Sequence, residues 1–255
     1  MEHDPVDLSV LILAKHEAEN LRQLLPAVHR VLQPAPLRYE MVVVVDPGDD
    51  GTAAAARLNA ARVVTQRQRG YGAAFREGVA SATGSYIVAI DADLSHDPAV
   101  ILDLWGARGD AGLVIASRYV RGGRASMPAM RHALSRTLNA FVRFGLSLQV
   151  RDVSSGFRLY RREALDGIDL RAANFDVLEE VLINILTRGW EIREIPFHYQ
   201  PRQEGRSKAR LLAFGWSFVR SFRRMRQLRW SAPLARRHDT AAPDPRSVGT
   251  DSWNV

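Results

Sequence analysis

Strand-like and helix-like segments alternate along the first half of this chain. The strand-like runs are short, apolar and mostly rich in Val and Ile, and the segments between them have apolar residues at helical spacing. The runs span residues 8–13, 41–45, 62–65, 86–90 and 113–116. This order is typical of an α/β domain with a mostly parallel, doubly wound sheet. In such sheets, ligands bind at the carboxyl ends of the strands.

The alternation stops after Ser117. The pattern then predicts helices near 130–146 and 175–188, a turn and strand within 153–160, and one or two strands within 191–199. We expect residues 1–210 to form one domain and residues 211–230 to form a basic amphipathic helix. The Pro, Ala, Arg, Asp and Ser content of residues 231–255 predicts a disordered tail.

Composition excludes several classes of protein. The 255 residues include no cysteine, which excludes disulfides, thiolate metal sites and a cysteine nucleophile. The chain opens with acidic and polar residues, and we find no apolar run of about eighteen residues. We therefore expect no signal peptide and no spanning helix, and a protein that stays in the cytoplasm.

Two carboxylates follow directly on the strand-like run at 86–90. Asp91 and Asp93 would lie at the carboxyl end of this buried strand, where their charges repel and are costly to desolvate. Hard oxygen ligands favour Mg²⁺ or Mn²⁺, which often bind through one or two carboxylates and substrate phosphates. The alternative is an acidic loop that caps the next helix, and for Asp97 before Pro98 we prefer that interpretation.

Basic residues are concentrated near the C-terminus. The net charge is +7, and residues 202–229 contain nine Lys or Arg residues against one acid, Glu204. This asymmetry indicates an anionic partner: nucleic acid, a phosphorylated substrate or an acidic membrane surface. Leu211, Phe214 and Phe218 share helical spacing in this region, which is typical of a helix in a membrane interface. The alternative is a helix that packs on the protein itself.

Six segments, in order, resemble motifs of the GT-A family 2 glycosyltransferases. The dinucleotide-binding pattern G-x-G-x-x-G does not follow the first strand-like run. The matching segments are 12–21, 46–52, 70–78, 91–96, 117–119 with 152–161, and 205–208. The form of segment 91–96 and the second-half motifs are similar to dolichyl-phosphate mannose synthases and related polyprenyl-phosphate hexosyltransferases. The chain departs from the pattern at Leu13, Lys15, His16 and Val45, which leaves the nucleotide open.

The resemblance implies a GT-A, Rossmann-like fold and an inverting, metal-dependent transferase. The enzyme would move mannose or glucose from GDP-mannose or UDP-glucose to a polyprenyl or dolichyl phosphate. It would bind peripherally, through residues 211–230, to the cytoplasmic face of a membrane. The implied metal ligands for Mg²⁺ or Mn²⁺ are Asp91, Asp93 and Ser95. The implied nucleotide-sugar site comprises Leu13, Lys15, Glu17, Asp46, Gly70, Asp91, Ala92, Arg202 and Lys208. The implied catalytic residues are Asp93, Arg118, Arg131 and Arg202.

A phosphate acceptor is already anionic, so the resemblance implies no general base. Arg118 and Arg131 would flank the acceptor phosphate, while Arg202, Ser207 and Lys208 would close over the donor. Asp152 and Glu180 are the remaining acids; we expect Asp152 to orient the segment 156–158 and Glu180 to pair with an active-site arginine. Two alternatives stay open: a family 2 enzyme with a hydroxyl acceptor and, more remotely, a nucleic-acid-binding protein. We expect no nucleic-acid partner, because the basic region contains no recognition module.

Overall fold

A computed structural model describes residues 5–48, 51–200 and 222–230. Its main sheet has seven strands in the order β3-β2-β1-β4-β7-β5-β8. Those strands are β1 (Leu8–Ala14), β2 (Tyr39–Val45), β3 (Arg62–Thr65), β4 (Tyr86–Asp91), β5 (Ala111–Ser117), β7 (Arg158–Arg161) and β8 (Glu191–Pro196). The short β6 (Arg124–Ala125) and β9 (His198–Tyr199) pair separately. The predicted mostly parallel α/β sheet is confirmed.

Helices cover both faces of this sheet. One core cluster packs α1 (Ala18–Leu32), α2 (Thr52–Leu58) and α4 (Val100–Gly106) on one face. The other packs α3 (Tyr71–Ser81), α5 (Ala129–Gly145), α6 (Arg162–Leu165) and α7 (Val177–Thr187) on the opposite face. Because both faces are buried, the central strands are continuous apolar runs, as in doubly wound folds.

The strand β7 interrupts the parallel order. It lies between β4 and β5 and runs antiparallel to both of them. The sequence predicts a strand here but not its direction. Because β7 occupies this position, the loop before it, residues 151–157, reaches the edge of the sheet where β4 and β5 end. That edge also receives the residues that follow β1 and β2, since these strands are parallel to β4.

Residues 222–230 form a helical segment that packs on the domain. Met225 is buried in the same core cluster as α7, and the Phe222 ring centroid lies 5.0 Å from that of Phe141. The contacts of these residues favour packing on the protein, which was the alternative to a membrane interface. The remainder of the predicted amphipathic helix, 211–221, and the predicted tail, 231–255, lie outside the described residues. Across the described ranges, no helix is long and apolar enough to cross a membrane.

Candidate active site

A tight turn at the end of β4 presents the two predicted metal-binding carboxylates. The Asp91 side chain is about one-third exposed, whereas Asp93 is buried. Both the amide and the hydroxyl of Ser95 donate to Asp93 Oδ1, and the Ser95 residue is fully buried. Leu94, between them, has a φ of 60°, a left-handed conformation that a branched side chain rarely adopts. The structure thus brings the three residues together, with Ser95 holding Asp93 in place.

The His96 ring contacts both the backbone and the side chain of Asp91. Its Nδ1 accepts the backbone N–H of Asp91 at 3.2 Å, and its Nε2 lies 3.7 Å from Asp91 Oδ2. The ring is buried and stacks on Phe157, with a centroid distance of 4.8 Å and an interplanar angle of 14°. The edge of the ring also meets Phe197. Sequence analysis assigned His96 no role, although it lies within the motif.

On its other side, the Asp91 carboxylate faces Gly156. A Cβ at position 156 would lie 3.4 Å from Asp91 Oδ1 and 3.5 Å from the Tyr71 hydroxyl. The Tyr71 ring stacks on Phe175 at 4.3 Å. Burial, followed by the charge of Asp91, raises the pKa of Tyr71 well above its usual value. Because residue 156 is a glycine, no side chain occupies the space next to the Asp91 carboxylate.

Arg118, directly after β5, forms a buried bidentate ion pair with Asp152. Its Nε and Nη2 donate to the two Asp152 oxygens at 2.8 and 2.7 Å, and its backbone N–H donates to Oδ2. Arg118 Nη2 also donates to Ser154 Oγ. Burial alone would lower the pKa of Arg118, but the Asp152 carboxylate outweighs it and raises that pKa. Asp152 is therefore the counter-ion of this arginine and is not placed as a general base.

Side chains from three elements hold the loop that runs from the Arg118–Asp152 pair to the neighbourhood of Asp91. Arg158 is fully buried and donates to the carbonyls of Val153, Ser155 and Leu178. Asn139 on α5 binds the Val153 amide and the Ser154 hydroxyl. The Glu194 carboxylate on β8 accepts the amides of residues 151 and 152. The loop, residues 152–156, thus pairs with Arg118 at one end and passes beside Asp91 at the other.

The predicted nucleotide-binding residues line the β1 and β2 ends of the same edge. Lys15 contacts the Asp46 carboxylate directly, and this contact lowers the pKa of Asp46. The Glu17 amide donates to Thr52 Oγ1, and its carboxylate accepts a hydrogen bond from Asn20. Leu13 pairs with Asp91 in the β1–β4 register, and Ala92 is buried in the core. The positions agree with the prediction, while the nucleotide-binding role stays a prediction.

Gly70 and Gly72 approach the chain's own backbone. A Cβ at Gly70 would lie 2.4 Å from the Ala173 carbonyl oxygen, and one at Gly72 would lie 2.1 Å from that of Ala172. The Gly72 amide donates to the Ala173 carbonyl. Packing therefore requires a glycine at both positions, and Gly70 as a donor contact stays a prediction.

The buried Glu180 holds the loop that those glycines contact. Its carboxylate accepts the amides of Arg171 and Ala172 and contacts Arg224 of the 222–230 segment. Its neighbour Glu179 is also buried, and burial raises the pKa of Glu179 to about 7. Glu180 thus pairs with an arginine, as expected from the sequence, but that arginine is Arg224, to which sequence analysis gave no role in the site.

The remaining predicted residues are only partly placed. Arg131 lies in the first turn of α5, while Arg202, Ser207 and Lys208 lie outside the described residues. Within the described ranges, no group of three or more His, Cys, Asp or Glu side chains could by itself hold a metal ion. The two-carboxylate turn beside Gly156 nevertheless fits Mg²⁺ or Mn²⁺, because these ions commonly take one or two carboxylates and complete their coordination with phosphates.

A family model and curated relatives match this chain in sequence. The model of glycosyl transferase family 2 matches residues 9–169. Polyprenol monophosphomannose synthase of Mycolicibacterium smegmatis is 34% identical over 217 residues, which cover 78% of this chain and 79% of that protein. Dolichol-phosphate mannosyltransferase of Pyrococcus furiosus is 33% identical over 211 residues, which cover 79% of this chain but 58% of that protein.

A solved structure supports the fold alone. Glucosyl-3-phosphoglycerate synthase from Mycobacterium tuberculosis, crystallised with Mn²⁺, uridine diphosphate and glucosyl-3-phosphoglycerate, superposes with a TM-score of 0.67 at 21% identity. The superposition covers 89% of this chain and 81% of that one.

Proposed function

This chain belongs to glycosyl transferase family 2, and from that membership we propose that it is a metal-dependent, inverting hexosyltransferase with a polyprenyl phosphate acceptor. The observation that carries the proposal is the loop 152–156, which pairs with Arg118 at one end and passes beside Asp91 at the other. A site for a divalent cation and a site for an anion would thus lie next to each other, as transfer to a phosphate requires.

Different residues would bind the cation and the acceptor phosphate. Asp91 and Asp93 would hold Mg²⁺ or Mn²⁺, which when bound would neutralise the charge on the departing nucleoside diphosphate. Arg118, and Arg131 in the first turn of α5, would hold the acceptor phosphate. An oxygen of that phosphate attacks the anomeric carbon, the bond from this carbon to the diphosphate breaks, and the configuration inverts. No proton has to be removed from a phosphate dianion, which agrees with the engagement of Asp152 by Arg118.

The outer face of α5 supports a membrane-bound acceptor. Met130 and Phe144 are 85% and 80% exposed, and Leu134 and Phe141 lie between them at helical spacing. The inner face of the same helix carries Asn139, which binds Ser154 beside Arg118. A lipid phosphate at a membrane surface in contact with the α5 outer face would lie close to Arg118. The protein would bind peripherally to the cytoplasmic face, with the predicted helix 211–230 and its basic residues as a second contact.

Liposome sedimentation tests this contact. Replacing Met130 and Phe144 together by Ser should reduce binding to anionic vesicles severalfold. The matched control is Leu58→Ser, because Leu58 is 83% exposed but lies on α2, on the opposite face of the sheet. If both variants bind vesicles like the unmodified chain, the α5 outer face is not a membrane contact.

A donor screen tests the activity. The full chain is incubated with Mn²⁺ or Mg²⁺, with GDP-mannose or UDP-glucose, and with a short polyprenyl phosphate or the corresponding polyprenol. We expect transfer to the phosphate only, loss of transfer in EDTA, and loss of transfer in Asp91→Asn. Transfer to the polyprenol would favour the hydroxyl-acceptor alternative. Absence of turnover with every donor, together with tight RNA or DNA binding, would favour the nucleic-acid alternative.

A further inference from the structure

The tight turn between Asp91 and His96 is closed by a side chain whose role is not accounted for by the proposed chemistry. We infer that His96 is a positioning residue of the metal centre, which holds Asp91 in the orientation that a divalent cation requires. The inference rests on the proposed function, since it assumes that Asp91 and Asp93 bind the cation.

Hydrogen bonding assigns the tautomer of His96. A backbone N–H can only donate, so Nδ1 of His96, which accepts the Asp91 amide at 3.2 Å, must carry a lone pair. The ring proton of the neutral imidazole therefore lies on Nε2, which is the nitrogen 3.7 Å from Asp91 Oδ2. That distance is an electrostatic contact and exceeds a hydrogen bond. One ring thus fixes the backbone of Asp91 and attracts one of its carboxylate oxygens.

The surroundings hold the ring in this position. Phe157 stacks on one face of the imidazole and Phe197 meets its edge at 76°, so the ring has little freedom to rotate. Phe157 also follows Gly156, the residue that leaves space on the far side of the Asp91 carboxylate. Packing therefore links the orientation of His96 to the open side of the site.

The turn needs this closure because its backbone is strained. Leu94 adopts a left-handed φ of 60°, which costs about 1–2 kcal/mol for a residue with a side chain. Hydrogen bonds within the turn oppose that cost: Ser95 donates twice to Asp93, and the Asp91 amide donates to His96. Without the His96 ring, Ser95 would still hold Asp93, whereas Asp91 would lose its bond to Nδ1 and the nearby Nε2, and the two carboxylates would act less well as a pair.

Three substitutions separate the contributions of the ring. His96→Asn offers an acceptor close to the position of Nδ1, His96→Gln offers polar atoms near Nε2 but no acceptor near Nδ1, and His96→Phe keeps an aromatic ring without either nitrogen. The matched control is His29→Phe, because His29 is exposed and pairs with Tyr39 at the amino-terminal end of β2, away from the site.

The test measures binding of Mn²⁺ to the full chain by electron paramagnetic resonance, with uridine or guanosine diphosphate present. We expect His96→Phe and His96→Gln to weaken Mn²⁺ binding about 10- to 100-fold, the usual effect of removing a group that supports a metal ligand. His96→Asn should bind within a few-fold of the unmodified chain, and His29→Phe should not differ from it. Thermal unfolding in EDTA shows whether each variant is folded.

The outcomes distinguish the inference from the proposed function. If Asp91→Asn abolishes Mn²⁺ binding but His96→Phe and His96→Gln bind normally, the role of His96 is refuted and the metal centre stands. If His96→Asn and His96→Gln are equally stable and weaken Mn²⁺ binding equally, the positioning role of His96 is also refuted. This comparison is the deciding test if His96→Phe does not fold. If Asp91→Asn binds Mn²⁺ normally, the metal centre itself is refuted.

Discussion

The Arg118–Asp152 pair allows the structural and the catalytic role of one arginine to be separated. Asp152 has no exposed surface and accepts the backbone N–H, Nε and Nη2 of Arg118 within 2.7–2.9 Å. Removing one member of such a pair leaves an uncompensated buried charge, which typically costs about 3–5 kcal/mol. Arg118→Ala is therefore a poor test of phosphate binding, because an unstable protein is also inactive.

A double-mutant cycle resolves this difficulty. Arg118→Met alone should lower the free energy of unfolding by about 3–5 kcal/mol, and Asp152→Asn alone by a similar amount. The double variant has no buried charge at this position, and Asn can still accept the amide of residue 118. It should therefore regain about 2–3 kcal/mol relative to the sum of the single variants. Urea unfolding followed by circular dichroism measures all four corners of the cycle.

Activity should not follow stability in this cycle. The double variant, though folded, should transfer hexose to polyprenyl phosphate at least about 100-fold more slowly, because it lacks the charge that holds the acceptor. Glu191→Gln is the control, since it breaks an exposed pair with Arg193 that we expect to be worth less than about 1 kcal/mol. Strict additivity would refute the buried-pair reasoning. Normal transfer by the stable double variant would refute the acceptor role of Arg118.

Three further predictions concern burial and space. Burial raises the pKa of Glu179 from 4.5 to about 7, so the native state binds more protons than the unfolded state between these values, and stability falls as pH rises through that window. Glu179→Gln should flatten this slope and be up to about 3 kcal/mol more stable at pH 8, measured by urea unfolding; an unchanged slope would contradict the assignment. Gly156→Ala should be as stable as the control Gly106→Ala, whose Cβ would meet nothing within 4 Å. Gly156→Ala should nevertheless raise the KM for the nucleotide sugar severalfold. Equal KM values in the two variants would show that the space beside Asp91 is not used. Gly72→Ala should destabilise the fold by more than about 1 kcal/mol in thermal unfolding, because its Cβ would overlap the Ala172 carbonyl. A melting temperature equal to that of Gly106→Ala would show that the loop at Ala172 moves without loss of stability.

Local sequence patterns predict most of the sheet, and its central strands are buried on both faces. The strand predicted at 62–65 coincides with β3, and the apolar run before Asp91 coincides with β4. The same pattern places Asp46, Asp91 and Arg118 at one edge, since the carboxyl ends of parallel strands meet there. The direction of β7 has no comparable signal, because the hydrophobic pattern of a four-residue strand does not depend on whether the strand runs parallel or antiparallel to its neighbours.

The contacts within the site depend on residues that are distant in sequence. The pairing of Arg118 with Asp152, and of Glu180 with Arg224, joins segments that are far apart in the chain and are brought together only by the fold. His96 and Asn139 are single polar residues whose partners include backbone amides, which the sequence cannot specify. Hydrophobic periodicity therefore predicts where the site lies, while the partners that orient its side chains require the three-dimensional packing.

The antiparallel strand β7 has a consequence for how the protein folds during synthesis. Strands β1 to β5 are made first, but β4 and β5 are not neighbours and cannot complete the sheet without β7. Until residue 161 has been made, the inner edges of β4 and β5 lack their partner, and such edges are where chains pair incorrectly. The loop 152–156 enters the sheet edge with the same strand, so closing the sheet and assembling the active site are one late event.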